Sequence, residues 1–333
     1  MTTTELLEIP TTLPETLSDQ PSSVHQAESL ERSTSQPARG LRLRAEGLLI
    51  AVTMIWGSTF LVTQQTIKLI SPFQYLGLCF GVAALALALI FPGHLRRITR
   101  VEVSCGVMIG LFLFAGYALQ AHGLQFTTSS KAGFITGLNV PLVPLLSLLL
   151  LRQKPTLAAV IGIVLSLAGL TLLSVNDQFT LQFGLGEVLV LGCAFAFAMQ
   201  IVCIGTFVKK GDAINLTILQ LAVTSLLCFV SIPTFHESLT WPPLSAWLVI
   251  LFMGVIDLAL SCLAMNWAQQ YLSSTRATLF YALEPAWAGL FGSLAGQGLS
   301  GYAWMGCGCI LLGMIVGGLR LRALLRKHSP RLD

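Results

Sequence analysis

The sequence has few charged residues: only 10% of its 333 residues are Asp, Glu, Lys or Arg. A soluble domain carries about a quarter of its residues as charged side chains. Hydrophobic residues make up 54% of the chain, and the mean hydropathy is +0.78. The scarcity of charge excludes an ordinary soluble domain and predicts a protein that crosses a membrane several times.

Apolar runs recur along the chain, and each is long enough to cross about 30 Å of hydrocarbon as a helix. Ten such runs are predicted, at about residues 46–66, 73–92, 103–122, 127–150, 156–174, 184–207, 214–235, 245–268, 275–296 and 301–319. Within the runs, apolar residues are continuous and do not alternate with polar ones, which is typical of helices. We therefore predict an all-α membrane protein with ten transmembrane helices joined by short loops.

The chain also lacks the side-chain patterns of catalysis and metal binding. Its eight cysteines lie in or beside apolar runs without spaced histidine or acidic partners, so neither a disulfide scaffold nor a zinc site is expected. We find no Ser-Lys pair and no metal-spaced set of His and Asp residues. The sequence therefore predicts a protein that is not an enzyme and that needs no metal or cofactor.

Lysine and arginine are distributed unevenly between the loops. If the N-terminus is cytoplasmic, only Lys68 and Lys131 of the nineteen basic residues fall on the opposite side. This bias follows the positive-inside rule and predicts a plasma (inner) membrane protein with both termini cytoplasmic. The net charge of +4 is explained by this bias better than by a patch for nucleic acid or lipid headgroups, so the expected partner is the bilayer and not nucleic acid.

The two ends of the chain differ in composition from the apolar runs. Residues 1–44 are rich in Thr, Ser, Pro and Glu, and we predict a disordered cytoplasmic tail there. No charged n-region, apolar h-region and cleavage site precede Leu41, so the first span is expected to direct insertion. Residues 321–333 are predicted to form a basic cytoplasmic tail.

An internal similarity divides the chain into two halves. A shift of 144 residues aligns TTSSKAGFITGLNVP (127–141) with YLSSTRATLFYALEP (271–285), and the register continues without a gap. We interpret this as a duplication with repeats at 45–175 and 182–320. Each repeat contains five spans, so the second must enter the membrane in the opposite orientation, an arrangement found in secondary transporters.

The same register aligns two pairs of glycines, Gly162 with Gly306 and Gly169 with Gly313. Glycine-rich runs such as GMIVGGL (313–319) allow close helix contacts, either within one chain or between two chains of a homodimer.

Three stretches together resemble a known family. They are WGSTFLVTQQTIKLISPFQYLGLCF (56–80), NVPLVPLL (139–146) and NWAQQYLSSTRATLFYALEPAWAGLFG (266–292), which resemble the EamA family of the drug/metabolite transporter superfamily. The resemblance covers about residues 45–320. It implies a ten-helix bundle of two inverted five-helix repeats that moves small metabolites or drugs across a plasma membrane by alternating access. Family members commonly carry a glutamate after the fourth and ninth spans, where this chain has Gln153 and Gln297.

Prolines interrupt the fourth and ninth spans at matched depths. Pro141, Pro144 and Pro285 each lack the N–H that a helix interior requires, so we predict kinks at these positions. Backbone carbonyls freed at membrane depth are tolerated only where they face protein or a wet cavity. The matched kinks therefore predict a binding site between the two halves.

Glu284 directly precedes one of these prolines, near the middle of the ninth span. A carboxylate at the bilayer centre costs about 2.5–3.5 kcal/mol on insertion scales, so an acid there marks a functional site or a buried hydrogen bond. The resemblance also implies a glutamate at this position. Glu284 either binds substrate or protons, or it locks helix packing as a protonated side chain, and the two roles are compatible.

Asp257 is the only other acid deep inside a span, near the centre of the eighth. It is either a substrate determinant or a buried acid bonded to a neighbour. No lysine or arginine lies at a matching depth, so two acids without a fixed cation could attract a cationic or amine-bearing substrate.

Weaker candidates for the site are Asn139, Tyr281, Trp56 and Ser58, each of which lies close to a proline or opens the family-like WGS motif. An amide could bond substrate or satisfy the kink, and the aromatic rings could stack on substrate or simply pack.

The outer end of the third span carries Gln120 and His122. Interfacial solvation explains both side chains, and the sequence offers His122 no partner for a proton relay.

The sequence thus favours an integral membrane transporter of small metabolites or drugs, with efflux preferred over uptake and proton coupling as an option. The alternative is a ligand-binding membrane sensor or a channel without active transport, although no ring of like charges or filter motif is present. A small-molecule substrate is the expected partner in either case.

Overall fold

The computed structural model describes residues 39–127, 129–174, 184–294 and 301–318. The first described helix begins at Arg39, inside the stretch that we predicted as tail. The rest of that tail, the predicted C-terminal tail and Gln297 lie outside the described residues.

The described residues form helices and no strand. The helices are α1 (Arg39–Thr66), α2 (Pro72–Ile90), α3 (Pro92–Leu95), α4 (Arg100–Gly123), α5 (Ser129–Thr136), α6 (Asn139–Leu151), α7 (Leu157–Ser174), α8 (Leu185–Phe207), α9 (Ala213–Thr234), α10 (Leu244–Phe252), α11 (Ser261–Tyr271), α12 (Ser274–Tyr281), α13 (Glu284–Leu294) and α14 (Gly301–Gly318). A π-helical segment, Met253–Leu260, joins α10 to α11. The fold is therefore all-α over the residues that the structure describes.

Six helical stretches are long and apolar enough to cross a membrane: Gly40–Thr66, Pro72–Ile90, Arg100–Gly123, Leu185–Phe207, Ala213–Thr234 and Leu244–Tyr271. Shorter apolar helices occupy Asn139–Leu151, Leu157–Gly169 and Trp304–Gly313. Two of the runs are broken into separate helices, and both are runs in which we predicted proline kinks. The fourth is divided into α5 and α6, and the ninth into α12 and α13.

Polar side chains at the helix starts explain several of these boundaries. Thr99 precedes α4, where its hydroxyl accepts a bond from the Glu102 N–H (3.2 Å) and the Glu102 carboxylate accepts one from the Thr99 N–H (2.8 Å). Asp212 precedes α9 and accepts bonds from the N–H groups of Ile214 and Asn215. Such caps satisfy N–H groups that the first helical turn leaves without partners.

Two glycine contacts bring α7 and α14 together. A Cβ atom at Gly169 would lie 2.5 Å from the carbonyl oxygen of Gly306, and one at Gly313 would lie 2.6 Å from the carbonyl oxygen of Gly162. The 144-residue shift converts the first contact into the second. This reciprocity is what a two-fold relation between the halves produces, and the Gly313 contact is made within one chain.

Buried side chains form two main clusters. One includes Ile204, Leu216 and Tyr281, and the other includes Phe73 and Leu221. Hydrogen bonds between helices cross the second region: Ser225 Oγ donates to the Gly77 carbonyl at 2.8 Å, and Thr224 Oγ1 donates to the Gly110 carbonyl at 3.1 Å. Such bonds and small residues hold membrane helices together where the hydrophobic effect contributes little.

Two glutamates link distant segments by accepting hydrogen bonds from backbone N–H groups at helix starts. Glu102 Oε1 accepts from the Asp212 N–H (2.9 Å) and from Asn215 Nδ2 (3.2 Å). Glu237, in the loop between α9 and α10, accepts from the Phe73 N–H (3.0 Å) and lies 3.4 Å from His122 Nε2. His122 thus has the acidic partner that sequence analysis did not find for it.

Replacing Glu102 with alanine is expected to destabilise the protein by about 1–3 kcal/mol, because the Asp212 N–H and the buried Asn215 amide lose their acceptor. Thermal unfolding of the purified protein in detergent measures the change. Exposed Arg96→Gln, which removes no such bond, serves as the control. An alanine variant that unfolds at the wild-type temperature would contradict this role for Glu102.

Candidate functional site

A cavity of about 920 Å³, including the space open to solvent, lies among α1, α2, α4, α8, the π-helical segment and the two broken helices. Five of the six residues that we proposed as the site line it: Glu284, Asp257, Asn139, Tyr281 and Trp56. The structure thus brings together side chains that are up to 228 positions apart in the sequence, from Trp56 to Glu284.

The two helix breaks lie at this cavity. α5 ends before Gly137 and Leu138, and α6 begins at Asn139; α12 ends before Ala282 and Leu283, and α13 begins at Glu284. Each break thus leaves a polar cavity-lining side chain as the first residue of a new helix.

Prolines stand in the first turn after each break. Pro141 and Pro285 occupy positions where a helix start needs no N–H donor, so proline favours a new helix there. The helix α6 continues through Pro144. The breaks therefore follow from Pro141 and Pro285, which the 144-residue shift aligns. Under the same shift, the two breaks lie within one position of each other.

Asp257 lies in the π-helical segment, which sequence reasoning did not predict. Its side chain is buried, and its Oδ1 atom has no hydrogen-bond partner among the described residues. The segment packs tightly on α2, since a Cβ atom at Gly254 would lie 2.9 Å from the Cys79 carbonyl oxygen. Isolated π-helical turns in α-helices frequently occur at functional sites.

Trp56 and Tyr281 meet at one end of the cavity, with ring centroids 5.7 Å apart. The Tyr281 hydroxyl accepts a weak bond from Gln269 Nε2 at 3.5 Å. Nearby, Arg276 in the first turn of α12 forms an ion pair with Glu46 of α1 at 2.6 Å. These contacts join α1 to α12 on one side of the cavity.

A second hollow adjoins the cavity. Leu124 lines both spaces, and the second hollow also contacts Lys68, Gln125 and Thr127 from the α1–α2 and α4–α5 loops. The cavity therefore approaches the surface on the side of these loops.

Ser58 does not line the cavity. Its side chain is exposed, and its hydroxyl donates to the Ile55 carbonyl at 2.6 Å. Side chains two residues apart in an α-helix are rotated by about 200° around the helix axis, so Trp56 and Ser58 face nearly opposite directions. Thr59 and Thr63, three and seven positions after Trp56, face the cavity instead. Helical spacing from Trp56 was the signal that could have found them.

Other lining residues were missed by sequence reasoning. Tyr75 and Tyr117 line the cavity, as does Gln200. Gln120, which we attributed to interfacial solvation, also lines it and donates to Thr136 Oγ1 at 3.5 Å. Only the packing of several helices reveals that these side chains share one space.

The chain is similar to a transporter family and to proteins named as transporters. Residues 43–175 and 184–317 each match the EamA-like transporter family. An uncharacterized transporter of Archaeoglobus fulgidus is 29% identical over 84% of this chain and 87% of its own length. The uncharacterized transporter YyaM of Bacillus subtilis is 25% identical over 80% of this chain and 91% of its own length.

Two further comparisons extend this similarity. The uncharacterized inner membrane transporter YedA of Escherichia coli K12 is 24% identical over 81% of this chain and 89% of its own length. A protein of known crystal structure superposes with a TM-score of 0.68, at 21% identity, over 84% of this chain and 99% of its own. That likeness concerns the fold alone.

Proposed function

Because the chain belongs to the EamA-like transporter family, we propose that it is a secondary transporter that carries a small organic molecule through the cavity by alternating access. It is a multi-pass membrane protein built from two family repeats. The observation that carries the proposal is the meeting of both helix breaks at one cavity lined by two acids.

The proposed architecture has ten crossings in two inverted repeats, at residues 45–175 and 182–320. In it, α5 with α6 and α12 with α13 each complete one crossing, and α7 and α14 are the last crossings of their repeats. The reciprocal contacts of Gly169 with Gly306 and of Gly313 with Gly162 support this arrangement. Inverted repeats supply two alternative packings, which alternating access requires.

The difference between the two ends of the cavity supports alternating access. At one end, the Trp56–Tyr281 contact and the Arg276–Glu46 ion pair join α1 to α12. At the other end, the cavity adjoins the hollow at the α1–α2 and α4–α5 loops. In the proposed cycle the first set of contacts opens as the second end closes. Glu284 and Asp257 are proposed to bind protons and substrate in turn, and we favour efflux over uptake.

Both termini are proposed to be cytoplasmic, in the plasma (inner) membrane. The distribution of basic residues supports the orientation, and the name of the Escherichia coli relative supports the membrane. Cysteine labelling tests the orientation. Six native cysteines are buried, and the half-buried Cys307 and Cys309 are replaced by alanine.

In that background we expect Leu239→Cys to react with an impermeant maleimide in intact cells, because the α9–α10 loop would lie outside. Arg97→Cys, in the loop before α4, is expected to react only after the membrane is opened. Both native side chains are exposed. The reverse pattern would show that the proposed orientation is wrong.

Transport itself is tested by reconstituting the purified chain in liposomes and measuring flux of a metabolite panel, with and without a proton gradient. We expect protein-dependent flux of at least one compound. Empty liposomes and liposomes with the double variant Asp257→Asn, Glu284→Gln are the controls. A protein that binds compounds from the panel but moves none would instead be a sensor, which is the alternative function.

A further inference from the structure

We propose that the cavity binds a protonated amine carried on an aromatic body, with Asp257 as its main counter-ion and Glu284 as a second acid. This inference rests on the proposed function, because it treats the cavity as the transport site. It names the chemical class of the substrate, which the family does not specify.

The charge of the lining is the first argument. Asp257 and Glu284 both line the cavity. Among the residues whose side chains the structure describes, no lysine, arginine or histidine lines it. Since a buried carboxylate without a partner is costly, a ligand cation would supply the missing charge.

Unpartnered polar atoms are the second argument. Asp257 is 2% exposed and Asn139 is 7% exposed, and Oδ1 of each has no hydrogen-bond partner among the described residues. Buried polar atoms in folded proteins nearly always have partners, so orphaned ones in a cavity point to a ligand. Both atoms accept hydrogen bonds, and an ammonium group offers several donors and no acceptor.

Aromatic side chains are the third argument. Trp56 and Tyr281 meet at one end of the cavity, while Tyr117 packs edge-on against Phe197 with centroids 5.2 Å apart. All four line the cavity, as does Tyr75. Aromatic faces attract cations within about 6 Å and also stack on flat apolar groups. The lining therefore suits a cation joined to a ring.

The helix starts at the breaks argue for an anion, because the N-terminus of a helix carries partial positive charge. At α13, however, the first residue is Glu284, an acid that already complements this charge. An anionic ligand would also have to approach two carboxyl groups in a space of low dielectric. The balance of charge favours the cation, and an anion is one outcome of the test.

The test uses matched sets of compounds that differ only in the charged group. Phenethylamine, tryptamine and 1-naphthylmethylamine are each compared with the alcohol and the carboxylic acid of the same ring system. Binding to the purified full chain in lipid nanodiscs is measured by isothermal titration calorimetry. We expect binding by at least one amine and weaker binding, by about tenfold or more, for its alcohol and acid partners.

Variants then locate the bound amine. Asp257→Asn is expected to weaken amine binding by about tenfold or more, and Glu284→Gln by less, because each keeps its shape but loses its charge. Ser58→Ala, outside the cavity, is expected to bind as the wild type does. Thermal unfolding without ligand shows whether each variant is folded. If Asp257→Asn is not folded, Asn139→Ala replaces it, with a smaller expected loss.

Three results would overturn the inference: no amine binds, an acid or alcohol binds as tightly as its amine, or folded variants of Asp257 and Asn139 bind the amine as the wild type does. Flux in liposomes separates this inference from the proposed function. Flux of other compounds without amine binding would refute only the substrate class. Amine binding without flux of any compound would refute only transport.

Discussion

Replacing Glu284 with glutamine is expected to lower the transport rate at saturating substrate more than any other single substitution in the cavity, whereas Asp257→Asn is expected to act mainly by weakening substrate binding. Glutamine keeps the shape and the hydrogen-bonding capacity of the side chain but cannot ionise. Losing one charge-assisted interaction costs about 1.5–3 kcal/mol, or roughly ten- to a hundredfold in rate. The position justifies the expectation, since Glu284 lines the cavity and begins α13 at a helix break.

The measurement is flux into liposomes at matched protein content, with and without a proton gradient. Ser58→Ala is the control, since that side chain is exposed and lies outside the cavity. We expect Asp257→Asn to rank second and Gln297→Ala, at a position that the sequence predicts to follow the ninth span, to have a much smaller effect. A folded Glu284→Gln protein with the wild-type rate and pH dependence would mean that Glu284 has only a structural role.

Replacing Gly169 with alanine is expected to force α7 away from α14 and to destabilise the protein. A methyl group there would lie 2.5 Å from the Gly306 carbonyl oxygen and 2.7 Å from Ile310 Cγ1, and a backbone carbonyl cannot move aside as a side chain can. Overpacking of this kind costs about 1–3 kcal/mol, and sometimes more. The reciprocal contact of Gly313 predicts a similar loss for Gly313→Ala.

Thermal unfolding and the yield of folded protein from membranes measure this effect. Gly308→Ala is a matched control on α14, because a Cβ atom there meets nothing within 4 Å. In a helix interior, alanine is preferred over glycine by up to about 1 kcal/mol, so this control should unfold at the wild-type temperature or slightly above. Equal behaviour of all three alanine variants would contradict the close packing of α7 on α14.

Much of the fold was predictable because the physical causes are local in the sequence. Continuous apolar runs predicted membrane helices, and Pro141 and Pro285 marked the two places where the helices break. The 144-residue register paired Gly162 with Gly306 and Gly169 with Gly313, and the structure places these four glycines in two reciprocal contacts.

The site was less predictable, since it depends on which face of each helix meets its neighbours. Trp56 and Ser58 belong to the same short motif, but only Trp56 lines the cavity. Gln120 was attributed to the membrane interface, although it lies in the cavity wall. An apolar run has the same hydropathy whichever of its faces meets the cavity, so sequence patterns do not identify these neighbours.

The sequence by itself determined the apolar runs, the positions of Glu284 and Asp257 within those runs, the proline breaks and the repeat, because hydropathy, missing N–H groups and residue identity are properties of single segments. Only the tertiary structure decided that both breaks and both acids share one cavity and that α7 packs on α14. It also decided the π-helical turn at Asp257. These features follow from packing between segments far apart in the chain, where close contacts select one rotation and spacing of each helix.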